Sequence, residues 1–454
     1  MPPQVDVIET GELGDRSYVA HDGTTAVVVD PQRDIDRVER VLADQALSCA
    51  LVLETHIHND YVTGGLALAR RSGARYVVAA ADDVAFDRHA VRDGDELAAG
   101  RLRIRVVATP GHTDTHLSYL VDGDDGGPAA VFSGGSLLYG SVGRTDLVDP
   151  ARTEELARTQ FHSVRRLSRI SGADDAIYPT HGFGSFCSSG PAVGGDGSTM
   201  AVERARNDAF TAADEDAFVA RVVAGLTAYP RYYAHMGARN RRGPAAADLS
   251  PVERVSPDAL RMRIEAGEWV VDLRDRTAYA AEHIGGTIGI ALEEQFATYL
   301  GWLIPWGTPL TLIGEHAGQV ADAQRHLVRI GIDRPDASAL GSPHHLAGPG
   351  ELRRYPRVTF ADVARARERD GVVVLDVRRD DERATGRVQG STHLPLHQLL
   401  PRLREVPNGR LWVHCASGYR ASIAASLLAR AGHDVVLVDD DYAAAVAAGL
   451  AVTT

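Results

Sequence analysis

The feature that most constrains the fold is an internal repeat in the C-terminal half of the 454-residue chain. EWVVDLRDRTAYAAEHIGGT around Asp272 lies over GVVVLDVRRDDERATGRVQGST around Asp376. LTLIGEHAGQVADAQRHLVRIG from Leu310 lies over LWVHCASGYRASIAASLLARAG from Leu411. Each copy alternates apolar β-branched strands with helical patterns, so residues from about 252 to 345 and from about 356 to 454 are expected to be two versions of one small α/β unit. The copies part at the decisive place: Gly314 and Gln319 stand where Cys415 and Arg420 stand in the second. Only one copy holds a nucleophile.

In that copy the strand LWVH runs into CASGYR and then into the helix ASIAASLLARAG. A cysteine between a strand end and a helix N-terminus is surrounded by backbone N–H groups and the positive helix end, which favour a thiolate. Gly418 lets the backbone turn inward and Arg420 adds a cationic fork for an anionic substrate. Cys415 and Arg420 are thus the expected catalytic pair, with Ser417 and Gly418 binding substrate from the loop. The pattern C-x-x-G-x-R followed by a helix resembles the rhodanese family, and the resemblance extends through LDVRRDDERATGRVQGSTHLPL, Leu375 to Leu396. It implies sulfurtransferase chemistry, in which Cys415 takes a sulfane sulfur, carries it as a persulfide and passes it to a thiol or other nucleophile. Cysteine phosphatases have a similar loop that is one residue longer. By the same resemblance the first copy is a rhodanese-like domain without catalytic residues, expected to serve as a spacer, dimerisation surface or docking platform.

Residues 1–250 read differently. TTAVVVD, IDRVERVLADQ, ALVLETH, GGLALARRSG and ARYVVAA alternate strand and helix patterns, the rhythm of a layered α/β domain. His56, His112 and His181 each fall just past a predicted strand, where loops converge on one sheet edge. The stretch from 188 to 200 is Gly/Ser-rich and reads as a loop, EDAFVARVVAGL as a helix and NRRGPAAADLSP as a linker. Imidazoles at His56, His58 and His112 offer three neutral nitrogen ligands and leave a coordination position open.

The order THIHND, TPGHTDTH, PTHG resembles the metallo-β-lactamase superfamily, particularly glyoxalase II and the persulfide dioxygenases, over roughly residues 5–190. The fold this implies is an αββα sandwich. His56, His58 and His112 match first-metal ligands, and Asp60 and His181 match two second-metal ligands. GSVGRTDL resembles the G-R-T-D segment of persulfide dioxygenases, which makes Arg144 an expected substrate-binding residue. Two positions depart from the pattern: Tyr61 replaces the last histidine of the first motif, and Gly135 falls where the family has an Asp. What is left is a three-histidine mononuclear site for one divalent ion, Fe(II) or Zn(II), with no choice between them. Asp114 and Asp146 are expected to make loop hydrogen bonds and His116 to be structural or to support a ligand.

Composition narrows the partners. The net charge of -13 excludes a general nucleic-acid or anionic-membrane partner, and the absence of lysine excludes Schiff-base and Walker-type chemistry. Three scattered cysteines imply no disulfide framework, and the N-terminus has no signal-peptide pattern, so a cytoplasmic setting is expected. The joint expectation is persulfide or thiosulfate metabolism with a thiol such as glutathione, like fused persulfide dioxygenase-sulfurtransferases. A zinc thioester hydrolase of glyoxalase II type and a non-catalytic metal-binding scaffold are the alternatives; a homo-oligomer stays open.

Overall fold

The structure is a computed structural model that describes residues 3–123, 127–190, 195, 197–293, 295–366 and 371–452. The chain divides into two compact units, one of Met1–Asp248 with Val328–Gly331, the other of Leu249–Leu327 with Ile332–Thr454. Residues 191–194 and 196 of the expected Gly/Ser-rich loop lie outside the described residues. Among the described residues, no helix is long and apolar enough to cross a membrane.

The first unit is built on two six-stranded sheets. In the first, Gln4–Thr10, Asp15–His21 and Thr25–Val29 run antiparallel, then Ser48–Leu53, Arg75–Ala79 and His89–Val91 continue parallel. The second follows the order Ser198–Thr199, Ala176–Pro179, Ala130–Gly134, Leu117–Asp122, Leu102–Ala108, Glu96–Ala99. Strand alternation places Tyr18, Val27, Leu51, Leu53 and Val77 of one sheet against Ile104, Val106, Tyr119 and Phe132 of the other, in one core. Each sheet's outer face takes a helical layer. Helix Asp36–Asp44 turns Val38 and Leu42 inward, one helical turn apart, and Gly65–Ser72 adds Leu66, Leu68 and Ala69. On the other side, helix Thr153–Ile170 buries Leu156, Phe161, Val164 and Leu167, worth roughly 1.5–3 kcal/mol per large side chain. The result is the αββα sandwich, and all three histidine motifs come out at the ends of strands along it.

In the second unit the repeat is visible as topology. The first copy has a parallel sheet in the order Ile288–Gly289, Trp269–Asp272, Leu310–Gly314, Ala337–Leu340. The second repeats it as Thr392–His393, Val372–Asp376, Arg410–His414, Val435–Val438, and adds the edge strand Arg357–Val358. In the first copy that edge strand is reduced to a single parallel bridge, Arg254 to Ser338. A side-chain device repeats as well: Arg274 forks onto Asp272, and Arg378 onto Asp376, with Nη2 to Oδ2 distances of 2.7 and 2.8 Å.

Candidate metal centre and cysteine loop

His56, His112 and His181 lie just past strands Ser48–Leu53, Leu102–Ala108 and Ala176–Pro179, all three fully buried. Their ring centroids are 4.8, 5.3 and 5.4 Å apart pairwise, and one nitrogen from each lies within 4.8 Å of the others. Each ring is aimed by what holds its Nδ1. The Thr55 hydroxyl donates to Asp30 Oδ2 at 2.7 Å, so it accepts from His56 Nδ1 at 2.9 Å. His112 Nδ1 donates to the Arg144 carbonyl at 2.7 Å, and His181 Nδ1 to Asp15 Oδ1 at 2.9 Å. With Nδ1 committed on all three, the Nε2 atoms are left to converge, the arrangement that orients histidine ligands in metal sites.

The charge around the cluster suits a cation. His56 Nε2 and His181 Nε2 face each other at 3.4 Å. Burial drives the His56 pKa well down, helped by the neighbouring imidazoles, and burial with His181 brings His112 to about 3. Burial also opposes the charge on His181, but Asp60 and Asp15 outweigh it and hold a proton there. Asp60 Oδ2 is 3.1 Å from His181 Nδ1, yet among the described residues neither Asp60 oxygen has a hydrogen-bond partner although the residue is 2% exposed. Three imidazole nitrogens with an under-satisfied carboxylate beside them fit a borderline ion such as Zn(II) or Fe(II).

Of the three expected ligands, His56 and His112 join His181 in one group, while His58, its ring 4.1 Å from that of His56, stands with Asp60 and His181 in a second and with Asp30 and Glu54 in a third. His58 Nε2 is 3.2 Å from Glu54 Oε2, 3.3 Å from Asp30 Oδ1 and 3.0 Å from the Tyr61 hydroxyl, with the Tyr61 ring stacked on it at 4.3 Å. Burial disfavours its charge, but these two carboxylates win and raise its pKa to about 9. Tyr61, standing where the motif has a histidine, hydrogen-bonds His58 in this setting. Gly135 is equally consequential. A Cβ there would sit 2.2 Å from His112 Cδ2, so the imidazole occupies the space in which a side chain would stand. His116 is structural: its Nε2 accepts from the Gly135 N–H at 3.0 Å and its Nδ1 pairs with Thr109 Oγ1. Asp114 and Asp146 are engaged by Arg152 and Arg144.

Arg144, expected to bind substrate, is 1% exposed and fully used within the fold. Its guanidinium bonds both oxygens of Asp146 and the carbonyls of Phe186 and Thr227, and lies over the Tyr229 ring. What it gives the site is its backbone carbonyl, which fixes His112.

In the second unit, strand Arg410–His414 delivers Cys415 to the start of helix Tyr419–Arg430. The sulfur is 1% exposed and accepts from the Gly418 N–H at 3.2 Å. Gly418 has φ +90°, and a Cβ on it would lie 2.2 Å from Asp439 Oδ1, so the tight turn requires glycine. Ser417 is exposed at the loop tip. Arg420 reaches back to Glu382, which engages both of its terminal nitrogens. The first copy lacks this cradle. Gln319 accepts from the Glu315 N–H at 2.8 Å and donates to the Leu273 carbonyl at 3.0 Å, closing the loop on itself.

Residues 359–448 match the family model of the rhodanese-like domain. The C-terminal part is a rhodanese-like domain. The N-terminal part is similar to the mitochondrial persulfide dioxygenase ETHE1 of Homo sapiens, 28% identical over 206 residues, covering 45% of this chain and 72% of that protein. It is also similar to a hydroxyacylglutathione hydrolase of Prochlorococcus marinus, 35% identical over 164 residues, with 35% of this chain and 60% of that protein covered. Among solved structures, a metallo-beta-lactamase from Staphylococcus aureus subsp. aureus COL superposes with a TM-score of 0.66 at 27% identity, covering 75% of this chain and 99% of that one. The N-terminal part has the metallo-β-lactamase fold, and its buried His/Asp clusters are consistent with metal binding.

Proposed function

We propose that the chain acts in persulfide or thiosulfate metabolism, with Cys415 as a sulfur carrier. The observation that carries this reading is the Gly418 N–H aimed at Cys415 Sγ, 3.2 Å away at a helix N-terminus. With thiosulfate as donor, the Cys415 thiolate attacks the outer sulfur. The S–S bond of thiosulfate breaks, sulfite leaves with the electron pair, and a persulfide stays on Sγ. A thiol such as glutathione, attacking as thiolate, then takes that sulfur and restores the Cys415 thiolate. Cys415→Ser is expected to abolish thiosulfate:thiol transfer; transfer that persists in the variant overturns the assignment. Under this reading residues 252–345 are a rhodanese-like domain that lost its cysteine, and 356–454 the working copy.

For the N-terminal unit the favoured reading is a mononuclear centre of persulfide dioxygenase type, held by His56, His112 and His181. A divalent ion there would supply Lewis-acid or redox chemistry to a thiol-derived substrate. Asp15, Thr55 and the Arg144 carbonyl orient the three imidazoles, and the buried setting excludes water. A two-metal thioester hydrolase is disfavoured by Gly135, whose position holds the His112 ring instead of a bridging carboxylate. The test is O2 uptake by anaerobically iron-loaded protein given glutathione persulfide, against thiol release from S-lactoylglutathione by the zinc form. Uptake supports the oxygenase, and thiol release without uptake replaces it with the hydrolase.

A further inference from the structure

The loops that carry His56, His58 and His112 also line a cavity of about 430 Å³ in the N-terminal unit. Ile57 and Asn59, on either side of His58, and Thr113, the residue after His112, form part of its wall. Helix Tyr233–Arg242 supplies another part through Tyr233, Gly237 and Arg241, each about one helical turn after the last. A Cβ on Gly237 would lie 2.7 Å from Asn59 Oδ1 and 3.4 Å from Arg241 Nη1, so glycine lets this helix close on the histidine loop. Asp82, Asp83 and Asp114 add three carboxylates to the lining, against the single guanidinium of Arg241.

Two buried polar atoms of this lining are unused by the fold. Asp82 is 5% exposed; its Oδ1 accepts from the Thr115 hydroxyl at 2.5 Å, but its Oδ2 has no hydrogen-bond partner among the described residues. Thr113 is 6% exposed, and its hydroxyl is likewise unpartnered among them. Asp114 is held by Arg152 and Asp83 is exposed, so Asp82 is the carboxylate with a bond to receive. Burial raises its pKa against the pull of Thr115, Arg241 and Arg88, and a buried acceptor left open in this way is costly unless a donor arrives.

We propose that this cavity is a recognition subsite for an organic ammonium group: Asp82 Oδ2 and the Thr113 hydroxyl take the amine end of a low-molecular-weight aminothiol, with its sulfur end toward the histidine cluster. This rests on the N-terminal unit being a thiol-acting metal centre. An ammonium carries donors enough for both oxygens, and its bond to the carboxylate is charge-assisted. A thiol that ends in a carboxylate meets three acids here, with Arg241 alone to favour it.

The test uses the full chain loaded with zinc, titrated by calorimetry with two matched pairs of thiols. Cysteamine is set against mercaptopropionate, and aminohexanethiol against mercaptohexanoate, so that two spans from sulfur to charge are covered. In at least one pair the amine is expected to bind about ten- to a hundredfold more tightly than the acid, and Asp82→Asn is expected to erase the difference. The wild-type comparison decides by itself should that variant fail to fold. Equal binding within both pairs, tighter binding of the acids, or a preference that survives in folded Asp82→Asn overturns the proposal and leaves the thiol-acting centre standing. Binding of none of the four thiols, with zinc verified in the protein by elemental analysis, defeats the reading of the centre itself.

Discussion

Glu382 turns both carboxylate oxygens onto both terminal nitrogens of Arg420, with Oε1 2.6 Å from Nη2. Burial raises the Glu382 pKa, but the Arg420 charge and hydrogen bonds outweigh it and the carboxyl stays ionised. In the first copy the aligned positions are Ala278 and Gln319, so both members of the pair are absent where the cysteine is absent. Glu382→Gln keeps the shape and removes the charge. Sulfur transfer is expected to fall about tenfold as Arg420 loses its bidentate clamp. Steady-state rates equal to wild type would mean that Arg420 needs no fixing.

The metal centre predicts an asymmetry between two neighbouring histidines. His181→Ala removes a converging Nε2 and is expected to strip the ion during dialysis, whereas His58→Ala, which removes a ring paired with Glu54 and Asp30, is expected to retain it. Asp15→Asn, which loosens only the orienting bond to His181, should weaken metal affinity about 10–100-fold. Elemental analysis and chelator competition read all three. Equal metal loss from His58→Ala and His181→Ala would return His58 to the ligand set.

Gly135→Ala tests whether the missing carboxylate was lost with its space. The added methyl would meet the His112 ring at 2.2 Å, and displacing that ring is expected to cost about 1–3 kcal/mol, seen as a lower Tm, and to weaken metal binding. Wild-type values for both would show that the site can open to a side chain there.

Acid sensitivity is expected in the C-terminal unit. Burial lowers the pKa of His414 from 6.5 to about 4; its Nε2 has no hydrogen-bond partner among the described residues and lies 3.9 Å from Asp376 Oδ2. Burial raises that of Asp376, but His414 and Arg378 carry it from 3.8 to about 2. Both folded-state values lie below the unfolded ones. As pH falls from 6.5 to about 4 the unfolded chain takes up the His414 proton first and stability drops, with a further loss between 3.8 and about 2 as Asp376 follows. His414→Gln should flatten the upper limb in thermal denaturation across this range. A limb of undiminished depth in the variant would sink the assignment to His414.

The sequence made the repeat, the cysteine loop and the strand-end histidines legible because each is a local pattern: strand, turn residue, helix start. It missed what depends on partners distant along the chain. Nothing near THIHND signals that Glu54 and Asp30 will take His58, or that Asp15, 166 residues before His181, will aim that ring. Arg144 was legible as part of a motif, but its side chain proved to be bound to Asp146 and two carbonyls, and its useful atom is a backbone oxygen that motifs do not report. No motif marks Glu382, and only the fold shows that it faces Arg420.

The Asp439 carboxylate, pressed on Gly418 and held by Arg276, has a bearing on how this protein can be divided. A gene fragment starting at residue 356 would encode the whole cysteine motif and would look, by sequence, like a self-sufficient cassette. It would keep Arg357, 3.1 Å from Asp439 Oδ2, but would lack Arg276 on Oδ1 and the carbonyl that holds Tyr419. Shuffling or duplicating such a fragment would carry the motif with half of its brace, so the silent copy is part of what an intact cassette must include.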